Sequence, residues 1–372
     1  MGRNKEITRR RFLKLIRNGT GAAAGLSLLD MPGFQKLLAA ELAHIPVVWM
    51  AAGSCTGCSV SLLNSLSPAV QDLLLGQILP DKHVSLAFHP TIMAGQGHSV
   101  INVLDKFKAG KPGSFILVYE GAVSTGDNGV YCEVGEKDGI GITTLQHLKE
   151  LAPKAKVVLN VGTCPSYGGI PGAPPNPTGI KTVQEILNSE GINTPTINIP
   201  GCPPHPDWIV GTITTILIGG INALKLDLAG RPIAFYGKKI HDNCTRRGQF
   251  DKGNFAKKFS DEGCLYELGC KGPLSHADCP TRKWNSAKNW CIGSGSPCIG
   301  CVEPDFPFTD SLLKKVNIHT AMADEPINKN SNSSFINTKG CTACHTDTHQ
   351  GQHPTCKDCH TTDEWSVDIW KP

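Results

Sequence analysis

Short apolar runs punctuated by glycine set the rhythm of the chain between residues 45 and 200. Val47-Val48-Trp49-Met50-Ala51 stops just before Gly53. Ser85-Leu86-Ala87-Phe88, Phe115-Ile116-Leu117-Val118-Tyr119, Val157-Val158-Leu159-Asn160-Val161 and Thr196–Ile199 follow. Brief apolar runs without strict alternation read as strands buried on both faces. Between them, a serine-rich stretch at 59–67 and the segment 143–151 carry helical spacing. Strands alternating with helices predict an α/β fold with a parallel sheet covered on both sides. Such sheets hold ligands beyond the carboxyl ends of their strands. Cys55 and Cys58 follow the first strand, Glu120 the third, Cys164 the fourth and Cys202 the run ending at Ile199. Four loops should therefore meet at one edge, three of them bringing thiols.

After about residue 228 the alternation fades, and cysteines crowd in at 244, 264, 270, 279, 291, 298 and 301. A segment so rich in Cys, Gly and Pro is expected to need a staple other than its own apolar core. The stretch 209–224, broken by Gly211, Gly219, Gly220 and Asn222, reads as a buried helix and not as a membrane span. Residues 320–338, with Asn328-Lys329-Asn330-Ser331-Asn332-Ser333-Ser334, read as a flexible linker to a small tail.

Charge changes the picture at the start of the chain. The 372 residues carry a net +4, but residues 1–43 hold eight Lys/Arg against three acids, leaving 28 against 29 in the rest. With that segment discounted no basic face remains for nucleic acid. Thr8-Arg9-Arg10-Arg11-Phe12-Leu13-Lys14, a mild apolar run from Gly21 to Leu29 and alanines at 39, 40 and 43 describe a signal peptide. Its paired arginines resemble a twin-arginine signal, the route for proteins exported already folded around cofactors. A basic amphipathic anchor helix is the alternative.

Sixteen cysteines and thirteen histidines demand disulfides or metal. Export permits disulfides. Against them stand Cys-x-x-Cys pairs at 55/58, 298/301, 341/344 and 356/359, a spacing that presents two sulfurs to one centre. Iron–sulfur clusters take four thiolates each, with occasional histidine substitution. Structural zinc draws on ligands close in sequence, whereas Cys55, Cys58, Cys164 and Cys202 can meet only through the fold. Spacing favours clusters over zinc and disulfides.

Cys55-Thr56-Gly57-Cys58-Ser59, Gly162-Thr163-Cys164, Pro200-Gly201-Cys202-Pro203-Pro204-His205-Pro206, His241-x-x-Cys244, Gly269-Cys270-Lys271-Gly272-Pro273 and Pro297-Cys298-Ile299-Gly300-Cys301 together resemble the small subunit of nickel–iron hydrogenases, over about residues 46–308. The resemblance implies a flavodoxin-like domain at 44–228, a cluster-binding domain at 229–319 and three iron–sulfur clusters. It also implies a large partner subunit holding the nickel–iron site. Carried over, a proximal cluster would use Cys55, Cys58, Cys164 and Cys202. A distal one would use His241, Cys244, Cys264 and Cys270, and a medial one Cys279, Cys298 and Cys301. Many relatives have proline at the fourth medial position and a three-iron cluster. Cys291 stands there in this chain, so a third four-iron cluster is expected, as in the selenium-containing branch. Oxygen-tolerant relatives carry two more cysteines near the proximal cluster, where this chain has Gly57 and Gly169, implying an ordinary cubane and ordinary oxygen sensitivity. Ser54 and Val60 replace glutamates of many relatives. Cys132 is left as a buried or supporting thiol.

The tail, 339–372, contains Cys341-Thr342-Ala343-Cys344-His345 and Cys356-Lys357-Asp358-Cys359-His360. Cys-x-x-Cys-His is the attachment motif of haem c, two thioethers with a histidine on iron. Two haems are expected, with His345 and His360 as axial ligands and His349, ahead of His353, as a further one. Zinc is the alternative. The combined expectation is the electron-transfer subunit of a periplasmic hydrogenase catalysing H2 ⇌ 2H+ + 2e−. Its outlet would be a cytochrome, an iron–sulfur protein or a quinone-linked membrane subunit. An exported ferredoxin–cytochrome carrier without catalysis is the rival, and a hydrogen-sensing regulatory pair, disfavoured by the export signal, a second.

Overall fold

The structure is a computed structural model that describes residues 44–65, 83–308 and 312–315. The leader, the linker and the tail with its two Cys-x-x-Cys-His motifs lie outside the described residues. Five strands form one parallel sheet: β1 (His44–Ala51), β2 (His83–Phe88), β3 (Ile116–Glu120), β4 (Val157–Val161) and β5 (Thr196–Ile199), in the order β2-β1-β3-β4-β5. That is the doubly wound order seen in flavodoxin-like folds. Two small antiparallel pairs, Val123–Ser124 with Ile180–Lys181 and Glu133–Lys137 with Ile140–Thr143, were not anticipated by the apolar pattern. Each is too short or too exposed to leave an apolar run.

The central strands β1, β3 and β4 are buried on both faces, which is why they read as nearly continuous apolar runs, whereas edge strand β5 alternates. Alternate residues divide between two cores. Val48, Met50, Leu117, Tyr119 and Val158 face α2 (His98–Lys108), α3 (Thr144–Leu151) and α5 (Val183–Ser189). Trp49, Val118, Leu159 and Ile199 face the other way, onto α6 (Pro206–Gly219). The two remaining labelled helices, α1 (Gly57–Leu63) and α4 (Thr163–Tyr167), sit at strand ends.

The cysteine-rich part from about residue 229 is irregular, as expected, but it has more apolar core than its composition suggests. Tyr236, Ile240, Leu265, Trp290, Ile292 and Val302 are buried and continuous with the α6 face of the sheet. The buried helix expected at 209–224 starts earlier and ends sooner. His205 Nδ1 accepts from the Asp207 N–H at 3.1 Å, capping the start at Pro206, and Gly220 with φ 75° stops it. Among the described residues no helix is long and apolar enough to cross a membrane.

Candidate metal centres

Three of the strand ends deliver thiols to one place. Cys55 and Cys58 leave β1 on the turn that starts α1. Cys164 sits in α4 directly after β4, and Cys202 follows β5. The thiols act on one another electrostatically: Cys58 feels Cys164, Cys55 and Cys202, and Cys164 feels Cys202 and Cys55. Burial, and after it the charge of Glu120, pushes the Cys58 thiol far up. Burial, then Cys202 and Cys55, pushes Cys164 up to about 12. Thiols held protonated in this way are poor nucleophiles. A metal centre reverses the balance, because a coordinating thiol is deprotonated outright.

Glycines keep the space between these sulfurs open. A Cβ on Gly57 would lie 3.2 Å from Cys55 Sγ, one on Gly162 2.7 Å from Cys58 Sγ, and one on Gly169 3.1 Å from Cys164 Sγ. Gly162 and Gly169 also have φ of 105° and 57°, which side chains rarely adopt.

Behind the first Cys-x-x-Cys turn lies Glu120, the last residue of β3, 1% exposed. It accepts hydrogen bonds from the backbone N–H of Cys58 and Ser59, each at 3.1 Å, from Trp49 Nε1 at 2.8 Å and from the Ser59 hydroxyl. His89 Nε2 lies 3.2 Å from the same hydroxyl, and its ring stacks on Trp49. Sequence reasoning placed Glu120 at this edge and gave it no role. Its position at the carboxyl end of a buried strand was the available signal. Ser59 and His89 carried none.

A second set gathers around a cavity lined by His241, Cys244, Cys264, Cys270, Tyr266, Arg246 and Ile292, among others. Cys264 feels Cys270 and Cys244, and burial pushes it up to about 11. His241 Nε2 is buried with no hydrogen-bond partner among the described residues. Phe250 holds its ring edge-on at 4.6 Å. Burial first, then Arg247, holds the imidazole down at about 4, so it is neutral and free to donate a lone pair. An orphaned nitrogen on a histidine that lines the same cavity as three thiols fits a histidine ligand.

The third set is Cys279, Cys298 and Cys301, with Cys291 acting on Cys279 alongside the other two. Backbone N–H groups aim at sulfur across these sets: Gly272 and Cys298 at Cys270, Gly300 at Cys298, and Arg246 at Cys244, all at 3.4 Å. Such donors favour the thiolate over the thiol. Every cysteine among the described residues is a free thiol. No three His, Cys, Asp or Glu side chains among those residues come close enough to hold a single ion. Cys132 stands apart, half-buried, its carbonyl accepting from the Thr144 backbone N–H at 2.9 Å.

Similarity to known proteins runs along the same residues. The family of the C-terminal part of NiFe/NiFeSe hydrogenase small subunits matches residues 236–314, and that of the NADH ubiquinone oxidoreductase 20 Kd subunit matches 55–216. The chain is 42% identical over 315 residues to the periplasmic [NiFeSe] hydrogenase small subunit of Desulfomicrobium baculatum, covering 81% of this chain and 96% of that one. It is 39% identical over 318 residues to the periplasmic [NiFe] hydrogenase small subunit 1 of Nitratidesulfovibrio vulgaris, covering 82% and 94%. Its fold is similar to that of the recombinant [NiFeSe] hydrogenase from Desulfovibrio vulgaris Hildenborough, with TM-score 0.68, 45% identity and coverage of 73% and 98%.

Proposed function

The chain belongs to the NiFe/NiFeSe hydrogenase small-subunit family and is part of an oxidoreductase that acts on hydrogen; from that premise we propose that it is the electron-transfer subunit of a periplasmic enzyme. The partner is a hydrogenase large subunit. In this reading three iron–sulfur clusters, held by the three side-chain sets, supply one-electron carriage between the partner's metal site and an acceptor. Cys55, Cys58, Cys164 and Cys202 hold the first, Cys279, Cys291, Cys298 and Cys301 the second, and His241, Cys244, Cys264 and Cys270 the third.

The observation that carries the reading is the serial contact between sets. The Thr163 hydroxyl, beside Cys164, donates to the Cys301 carbonyl and accepts from the Gly201 N–H, and the Cys298 N–H donates to the sulfur of Cys270. The set of Cys279, Cys291, Cys298 and Cys301 therefore touches both others, and the row has two ends. At the first end Cys55 and Cys202 are exposed, and apolar side chains stand open beside them: Val60 at 54%, Leu63 at 48% and Ile170 at 55% exposure. An exposed apolar rim around half-open thiols is what a covering subunit would bury.

The twin-arginine leader fits folded export, and the tail motifs fit two haems c that lengthen the path beyond the third set. Both lie outside the described residues and rest on the sequence motifs alone. Two experiments test the proposal. Anaerobic purification through this chain should bring down a large subunit and reduce a viologen dye under hydrogen; a chain that purifies alone and inactive would favour the non-catalytic carrier. Truncation after residue 338 should abolish peroxidase staining of the denatured chain and slow reduction of the physiological acceptor. Unchanged transfer would remove the haem extension.

A further inference from the structure

Two buried charges of opposite sign stand beside this row of thiols, and neither has an ion-pair partner among the described residues. Glu120, 1% exposed, meets only donors: two backbone N–H groups of the first Cys-x-x-Cys turn, an indole and a hydroxyl. Those N–H groups, from Cys58 and Ser59, point at the carboxylate and are withheld from sulfur. Lys271, also 1% exposed, lies at the other junction. Its ammonium donates to the carbonyls of Gly269 at 3.1 Å, Leu312 at 3.3 Å and Lys314, and stands 5.2 Å from the Phe308 ring centroid. Its backbone N–H donates to the Cys298 carbonyl at 2.7 Å, and it directly follows Cys270. Cys270 and Cys298 both act on its charge. Carbonyl dipoles satisfy its hydrogens and leave the unit charge uncancelled.

Resting on the cluster reading above, we infer that Glu120 and Lys271 set a potential gradient along the row. Glu120 lowers the reduction potential of the Cys55–Cys58–Cys164–Cys202 centre, and Lys271 raises those of the two centres that meet at Cys270 and Cys298. Reduction adds negative charge to a centre. A buried anion next to it opposes that change and a buried cation assists it, with little water to screen either. The loss of two N–H···S donors at the first centre acts in the same direction as the Glu120 charge. An electron delivered from the partner at the first centre is thereby drawn toward the far end.

The test is a mediated redox titration of the whole purified complex followed by electron paramagnetic resonance. Cys202→Ser and His241→Cys variants would identify the signals of the first and third centres. Glu120→Gln keeps the shape and removes the charge. It should raise the first midpoint by at least about 59 mV, a tenfold change in the oxidised-to-reduced ratio of a one-electron couple, and leave the others in place. Lys271→Gln should lower the other two midpoints, and Lys271→Arg should restore them. Unmoved midpoints in variants with wild-type iron content overturn the gradient, as do shifts of the same sign in both. If the lysine variants fail to assemble, Glu120→Gln and the wild type decide, since the first centre must have the lowest midpoint of the three. A wild-type complex without cluster signals would instead sink the proposed function, and the gradient with it.

Discussion

The backbone N–H of Cys298 donates across 3.4 Å to the sulfur of Cys270, joining two thiol sets that follow one another along the chain. At the other junction the Thr163 hydroxyl, beside Cys164, donates to the Cys301 carbonyl and accepts from the Gly201 N–H. Between Cys298 and Cys270, stabilising the thiolate and fixing its distance from the neighbouring set are the same contact.

Gly169 tests how tightly the first set is built. With φ 57° and a would-be Cβ only 3.1 Å from the Cys164 backbone nitrogen and sulfur, it has no room for a side chain. Gly169→Ala is expected to cost about 1–2 kcal/mol from the backbone conformation alone and to loosen the Cys164 sulfur. A lower thermal midpoint with reduced iron content would bear this out. A variant as stable and iron-replete as the wild type would show that the loop relaxes freely.

Acid should weaken the fold through His147, which belongs to none of the three thiol sets. Its Nε2 is 2.7 Å from the Val134 carbonyl and its Nδ1 is buried without a partner among the described residues. Burial lowers its proton affinity most. Lys108 also lowers it, while the Val134 carbonyl, Glu150 and Asp105 act the other way. The folded value lies below that of the unfolded chain, so unfolding takes up a proton. Its contribution is complete above about pH 6.5 and is lost progressively as pH falls below that value. Denaturation midpoints measured from pH 7.5 to 5 should fall, and His147→Gln should flatten the slope. An unaltered slope would show that His147 plays no part in the acid response.

Arg231 ties the sheet's trailing loop to the cysteine-rich part. Its Nε donates to Asp227 at 2.7 Å, and its Nη1 to Glu303 at 3.1 Å and to the Val302 carbonyl at 3.2 Å, immediately beyond Cys301. Arg231→Leu leaves two acidic groups without their cation and should cost about 3–5 kcal/mol. Thermal unfolding of the complex reads this directly, and a shift smaller than a few degrees would contradict it.

The sheet was legible because its central strands are buried on both faces. β4 and β5 fall on the apolar runs 157–161 and 196–199 residue for residue. The positions of Cys55, Cys58, Cys164 and Cys202 beyond strand ends followed from the doubly wound topology. The cysteine-rich part was less legible. Apolar residues such as Ile240, Leu265 and Trp290 are scattered singly among glycines, so their shared core with Trp208 and Ile209 leaves no periodic trace. Which of its cysteines face one another came from family resemblance and not from spacing. Lys271 looks like an ordinary surface residue in sequence, and only packing shows it buried.

The most direct measurement of the central claim is the metal content of the complex purified anaerobically through this chain. An electron-transfer subunit of a hydrogenase should bring nickel in a copurified large subunit and about twelve cluster irons, four for each of three centres, besides the iron of two covalent haems. A chain that carries its irons but brings down neither nickel nor a partner would contradict that function and leave an electron carrier in its place.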